Sequence, residues 1–208
     1  MCGRYSLINA ARLAAKFPRF SFEEFSENRL PRYNVAPTQD VLGVRNDGRD
    51  RVEVMRWGID GRINIRAESI AARHNPIGRR CIEFADGFYE WRGKQPVYYT
   101  LRSGEPFAFA GLWQPGEDAQ AHCDIITCPP NALVAPVHNR MPVILPQGAI
   151  DLWLSPEGLA PDIAGSILQP YDADAMIARD VSRRVNNANY DAPDVLGPDD
   201  TRQTMLDL

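Results

Sequence analysis

What most constrains the fold of this chain is a succession of short strand-like runs, each cut off by a turn signal before it can grow. Residues 41–45 and 51–57 read as two strands on either side of Asn46-Asp47-Gly48, a sequence suited to a hairpin connection. Further runs of the same kind occupy residues 2–7, 81–84, 88–91, 97–101, 107–113, 124–127 and 143–145, with a last one inside 175–185. Between them lie segments with helical spacing. Asn9 is placed to cap a helix through Lys16 that carries Ala10, Leu13, Ala14 and Phe17 on one face. Residues 66–73 suit a short helix stopped by Asn75-Pro76, residues 149–154 another, and Ser155-Pro156 opens one through Ala164. Residues 31–38 hold Pro31 and Pro37 and read as an ordered loop. Strands and helices mixed without regular alternation predict an α+β fold: a single domain on a curved, mixed or antiparallel sheet or barrel-like core, with short helices inserted. The domain is expected over residues 1–195, and the polar, acidic end of the chain, 196–208, is expected to be a loose tail.

A chain of 208 residues is long enough for one sizeable core. No apolar run approaches the roughly 18 residues of a membrane span, and the N-terminus lacks a basic-then-apolar leader, so a cytoplasmic location without membrane association is expected. Cys2, Cys81, Cys123 and Cys128 form no C-x-x-C pair and the three histidines are scattered, which predicts neither a metal nor another cofactor. Charge is unevenly shared: residues 1–104 carry 18 Lys and Arg against 12 Asp and Glu, residues 105–208 carry 5 against 15, and the net charge is −4. The basic half is almost all arginine, whose planar fork suits phosphate or carboxylate, although a solvated basic face explains the charge equally well. The acidic half argues against indiscriminate binding to duplex DNA.

Three residues invite chemistry. Cysteine at position 2 allows the initiator methionine to be removed, and the product bears an amine and a thiol on one residue. That 1,2-aminothiol can condense with an aldehyde to an imine and then close through sulfur to a five-membered thiazolidine. Glu90, set among Phe88, Tyr89 and Trp91, is a carboxyl that flanking aromatics would desolvate and keep protonated near neutral pH. A buried ion-pair partner is the plainer reading of the same residue. His138, between Pro136 and Pro142, sits on stiff irregular backbone of the kind that carries catalytic groups, or else is a hydrogen-bonded surface histidine.

Read in order, the blocks Met1-Cys2-Gly3-Arg4-Tyr5, Tyr33-Asn34-Val35-Ala36-Pro37-Thr38, Met55-Arg56-Trp57-Gly58, Asn64-Ile65-Arg66-Ala67-Glu68-Ser69, Arg79-Arg80-Cys81, Ala85-Asp86-Gly87-Phe88-Tyr89-Glu90-Trp91, Phe109-Ala110-Gly111-Leu112-Trp113 and His138-Asn139-Arg140-Met141-Pro142-Val143 resemble the SOS response-associated peptidase-like (SRAP) family. The resemblance implies covalent capture of abasic sites in single-stranded DNA, as a thiazolidine between the terminal cysteine and the ring-opened sugar. Carried over by position, it implies that Cys2 supplies amine and sulfur, Glu90 acts as acid and base, His138 moves protons at the sugar, and Asn64 holds sugar and terminus in register. It further implies that Arg4, Arg66 and Arg140 bind phosphate and that Asn34, Pro37, Trp91 and Thr127 line a DNA groove. Single-stranded DNA with abasic sites is the implied partner, bound by a monomer, in the cytoplasm or on the nucleoid.

Three positions depart from the family pattern. Only residues 59–63 separate the Trp-Gly block from the Asn64 block, where a longer aromatic segment is expected; Ile65 replaces a small residue and Asn139 an aspartate. Other functions remain open to such a chain. Class II glutamine amidotransferases also begin Met-Cys-Gly and use a processed cysteine, but no Asn-Gly motif for their oxyanion site occurs here. A non-covalent single-stranded DNA reader, or a plain cysteine peptidase, would use the same surface without the crosslink.

Overall fold

A computed structural model describes residues 2–26, 29–72, 77–117 and 120–199. The chain enters through β1 (Tyr5–Leu7), passes α1 (Ala10–Lys16) and α2 (Glu23–Ser26), and lays down β2 (Arg32–Val35), β3 (Asp40–Arg45), β4 (Glu53–Trp57) and β5 (Asn64–Arg66). After α3 (Ala67–Ala71) come β6 (Arg80–Ala85), β7 (Gly87–Arg92), β8 (Gln95–Leu101), β9 (Phe107–Pro115), β10 (Ala121–Cys128) and the two-residue β11 (Met141–Pro142). Two helices, α4 (Ile150–Leu154) and α5 (Pro161–Ile167), precede β12 (Met176–Asp180).

Five strands close on themselves. β3 pairs with β4 and β6, β6 with β9, and β9 with β10, all antiparallel; a parallel pairing of β10 with β4 completes the ring. Closure satisfies both edges of every ring strand, so the backbone polar groups of the barrel are paired without a protecting cover. β5 continues the line of β4 along β10, from Asn64 opposite Ile125 to Arg66 opposite Thr127. The interruption between β4 and β5 is a tight excursion: Ile59 bridges Arg62, with Asp60 (φ 50°) and Gly61 (φ 77°) at its corner. Two successive positive φ angles on an Asp-Gly pair are those of a type I′ turn. The short stretch 59–63 is therefore only a hairpin corner.

A second, antiparallel sheet, ordered β12-β8-β7-β1-β2, packs its inner face on the barrel. Tyr5 from β1 sits 5.3 Å from Trp57 and 5.6 Å from Phe109, ring centre to ring centre, joining the two sheets. Phe17, Phe20 and Phe22 gather around Phe84 at 5.1, 5.9 and 5.0 Å, so the crowded aromatics after α1 are core. Asn9 caps α1 as expected, its side chain accepting the Arg12 N–H. Gly87 is required by packing: a Cβ there would come within 2.4 Å of the Tyr98 ring. The architecture is the α+β, barrel-like fold with short inserted helices that the punctuated sequence predicts.

Local differences have identifiable causes. The prolines of 31–38 flank rather than fill a segment: β2 lies between them at the sheet edge, where no ladder donor is lost. Asn46 is no solvent-exposed turn residue; its side chain is buried and bonds Gly78 O, the Arg80 N–H and the Trp113 indole. The helix expected from Ser155 begins at Pro161, because the buried Arg80 guanidinium takes the carbonyls of Trp153, Ser155 and Glu157 at 2.8, 2.5 and 2.8 Å. β10 is twice as long as its sequence pattern suggested, eight residues rather than four. The Asn75-Pro76 stop and residues 200–208 of the expected tail lie outside the described residues. Just before that stretch the chain is fixed: Asp191 accepts the Tyr33 and Asn34 N–H groups at 2.5 and 3.0 Å, and Val195 is fully buried.

Glu83 on β6 points into the barrel, fully buried beside Cys81, Cys123 and the bare backbone of Gly111. Neither carboxyl oxygen has a hydrogen bond of good geometry, and the adjacent Cys123 thiol is a weak donor. Burial, seconded by the charge of Asp124, pushes its pKa from 4.5 up to about 8. The folded chain thus holds a proton that the unfolded chain releases, so this stability is complete below about pH 4.5 and is lost as the pH climbs through about 8. Wild type should lose thermal stability between pH 5 and 8, with a slope from this group of up to about 1.4 kcal/mol per pH unit. Glu83→Gln should flatten that loss in melts at pH 5, 6.5 and 8; parallel pH dependence in the two proteins would show that Glu83 does not titrate this way.

Candidate active site

The residues singled out by chemistry meet where the chain start, β5, β7 and the loop carrying His138 come together, here called the mouth. Cys2 leads into β1 and is fully buried. Asn64, the first residue of β5, turns inward because of its pairing with β10 and donates through Nδ2 to the Cys2 carbonyl at 2.9 Å. Its Oδ1 is buried without a hydrogen-bond partner, a free acceptor beside the terminal residue. Burial raises the Cys2 thiol well above its ordinary pKa and the nearby charge of Glu90 adds to this, so the sulfur is a protonated thiol at neutral pH.

Glu90 projects from β7, opposite Val97, and is only 2% exposed. Burial lifts its carboxyl to about 7, against a downward pull from the positive chain terminus. A group with that pKa both gives and takes protons at physiological pH. His138 Nε2 lies 4.0 Å from Glu90 Oε2. The loop that carries the histidine is tied by Asn131, whose side chain accepts the Leu133 and Val134 N–H groups at 3.1 and 3.0 Å; Val134 O then accepts the His138 N–H at 3.0 Å. His138 Nδ1 is turned toward the Arg140 backbone, 3.0 Å from its N–H nitrogen and 3.2 Å from its carbonyl oxygen, which leaves Nε2 as the ring nitrogen on the side of Glu90. Burial, then the terminal positive charge, lowers the His138 pKa, keeping the ring neutral at pH 7.

The expected DNA-contacting residues divide into two groups. Arg66 is exposed, and Pro37 and Trp91 are partly exposed around the mouth. Arg4 lies 5.9 Å from the Trp91 ring centre and is anchored by Asn34 Oδ1 at 2.9 Å and Val185 O at 2.7 Å. Asn34 and Thr127, expected to line a DNA groove, are instead buried. The Asn34 amide is consumed by Val185 O, Asn187 O and Tyr190 O, and the Thr127 hydroxyl faces Ile65 O and Arg140. Arg140 is nearly buried, its fork closed on Glu68. Sequence reasoning assigned no role to Glu68, although it stands in the Arg66-Ala67-Glu68 block. It also assigned no role to the carbonyls of the C-terminal strap around residues 181–197, which have no side-chain signature. Among the described residues no cluster of His, Cys, Asp and Glu is arranged to hold a metal ion, and no helix is long and apolar enough to cross a membrane.

The family model for SOS response-associated peptidase (SRAP) matches residues 1–188. The chain belongs to the SRAP family. SRAP relatives include the abasic site processing protein YoqW of Bacillus subtilis (strain 168), 37% identical over 94% of this chain and 99% of that protein. YoaM of the same organism, also named an abasic site processing protein, is 38% identical over 94% of this chain and 97% of its own. The abasic site processing protein YedK of Escherichia coli (strain K12) is 27% identical over 95% of this chain and 100% of its own. Among solved structures, a protein from Bacteroides thetaiotaomicron superposes with a TM-score of 0.80 at 23% identity, covering 95% of this chain and 99% of that one, a likeness of fold. These matches span nearly the full chain, so the fold as a whole is a family feature.

Asn34 holds Arg4 and the strap at once, and its loss should be felt in both. Asn34→Ala should destabilise the protein by about 2–4 kcal/mol, on the basis of about 1 kcal/mol per hydrogen bond plus the carbonyls left unsatisfied. Urea unfolding of the two proteins measures this; a difference below about 0.5 kcal/mol would make the Asn34 amide dispensable.

Proposed function

We propose that this protein processes abasic sites in single-stranded DNA by forming a covalent thiazolidine crosslink through Cys2, thereby shielding the lesion. The observation that carries the reading is the convergence on one mouth of four things: a residue that becomes a 1,2-aminothiol, a buried carboxyl with a pKa of about 7, a neutral histidine beside it, and an unpartnered amide oxygen. The relatives named as abasic site processing proteins support the same substrate class.

The sequence of steps follows from the protonation states. Removal of Met1 frees the Cys2 amine. His138 and Glu90 move the protons that open the sugar hemiacetal to its aldehyde, while Asn64 Oδ1 accepts a sugar hydroxyl. The amine adds to the aldehyde carbon, Glu90 supplies the proton with which the hydroxyl leaves as water, and an imine results. The Cys2 thiol then adds across the imine: sulfur bonds to carbon, and the thiol proton passes to nitrogen through Glu90. One aldehyde and one aminothiol thus give one thiazolidine and one water. Both nucleophiles belong to one residue, so the second addition is intramolecular and strongly favoured over attack by an outside thiol. The high thiol pKa suits this order, since sulfur waits protonated until the imine provides its target. The imine is also the branch point for strand cleavage, a lyase outcome, and self-removal of Met1 would be the protein's peptidase act. Arg4 and Arg66 would hold phosphates of the single strand, with Trp91 offering a stacking surface and Pro37 a wall. A monomer acting in the cytoplasm, on the nucleoid when bound, is sufficient for this chemistry.

Incubation with an abasic single-stranded oligonucleotide should yield a species stable to denaturing electrophoresis, its mass equal to protein without Met1 plus DNA minus one water. Cys2→Ala should give none. A processed wild-type protein that leaves the DNA unmodified would falsify the reading. The rate should pass through a maximum with pH: it falls above about 7 as Glu90 loses its proton, and falls below about 8 as the amine gains one. Glu90→Gln should crosslink at least about tenfold more slowly, given that general acid–base catalysis typically contributes 10² or more. It should also lose the alkaline fall; an unchanged profile in single-turnover rates would remove Glu90 from proton transfer.

A further inference from the structure

Arg140 is only 9% exposed, and its guanidinium is already engaged. Nη1 and Nη2 donate to the two carboxylate oxygens of Glu68 at 2.5 and 2.9 Å, and Nη2 also donates to Thr127 O at 2.5 Å. Nε is buried with no hydrogen-bond partner. The partners are held very unequally. Arg140 is fixed by β10 and by its own loop, whereas the Glu68 side chain is 54% exposed and rises from the first turn of the five-residue α3.

A carboxylate and a phosphate present the same pair of oxygens to an arginine fork. No phosphate can take the Arg140 fork while Glu68 occupies it, and no empty fork is tolerable this deep, because a buried guanidinium without a partner is strongly disfavoured. Exchange of one anion for the other is the remaining route. We propose that Glu68 is a specificity-determining residue that occupies the phosphate position at Arg140 until a DNA strand displaces it; this rests on the reading of the mouth as a single-stranded DNA site. As an intramolecular competitor, Glu68 acts at an effective concentration on the order of millimolar or above. Small anions at lower concentration lose to it. A strand already anchored at Arg4 and Arg66 has its own intramolecular advantage and wins. Glu68 thereby raises the threshold for engaging short or weakly held anions and leaves extended single strands able to enter.

The test uses an intact fluorescein-labelled single-stranded oligonucleotide without a lesion, so no covalent step enters the readout. Fluorescence anisotropy at low salt would compare wild type, Glu68→Gln and Glu68→Asp. The aspartate keeps the charge but is one methylene too short to close on the fork. Glu105→Gln, which removes an equal charge at the exposed Lys16 pair, serves as the control. Glu68→Gln is expected to bind about 5–20-fold tighter than wild type, Glu68→Asp about 3–5-fold tighter, and the control within about twofold, with the gain shrinking as salt rises. Equal or weaker binding by both Glu68 variants would overturn the proposal and leave Glu68 as a brace for Arg140; so would a gain no larger than the control's. Should Glu68→Gln prove unstable in thermal melts, Glu68→Asp alone decides. Loss of abasic-site crosslinking by wild type, with the Glu68 gains intact, would instead defeat the crosslinking reading and leave this inference standing.

Discussion

The parallel pairing of β10 with an interrupted strand is the constraint on which the rest of the structure depends. β4 and β5 share one side of β10, separated by a corner at Asp60 and Gly61, and this arrangement closes the barrel without an exposed edge. It also sets the register of the mouth. Asn64 opposite Ile125 and Arg66 opposite Thr127 fix which side chains turn inward, and Asn64 comes to lie against the carbonyl of Cys2. A slip of one residue would reverse every side chain along β5 and carry Asn64 away from the terminus.

Three glutamates show how position alone sets chemistry. Glu83, inside the barrel, is pushed by burial to about 8 and stays neutral as a buried acid. Glu90, at the mouth, is lifted less, to about 7, because the positive terminus offsets part of the desolvation, which leaves it poised for proton transfer. Glu68, on the exposed rim, has its pKa lowered by the hydrogen bonds of Arg140 and remains an anion. One side-chain type thus meets three protonation environments, according to how much water and which charges surround it.

The mouth has a second support in the C-terminal strap. Val185 O accepts from both Arg4 and Asn34, Asn186 accepts the Trp91 indole N–H, and Asp191 caps two backbone N–H groups of β2. The strap thereby fixes residues near both the N-terminus and β7, more than 90 positions away in sequence. Its own anchor is a small apolar cluster of Val181, Val185 and Val195 against Tyr89 and Tyr98.

The amino-acid sequence by itself determined the punctuated strands, the Asn9 cap, the α+β class and the choice of Cys2, Glu90 and His138 as candidates for chemistry. Those properties are local: turn residues act over a few positions, and a cysteine next to an initiator methionine is legible without a fold. Only the tertiary structure decided the rest. Asn34 and Thr127 read as polar surface residues but are buried, because distant carbonyls of the strap and of β5 consume their hydrogen bonds. The helix after Ser155 is delayed by Arg80, some 75 residues earlier. The closing of Glu68 on Arg140 depends on two segments 72 residues apart meeting at one rim. A hydrogen bond or ion pair between remote segments leaves no periodicity in sequence; it exists only once the barrel has closed and its geometry has selected which polar groups can meet.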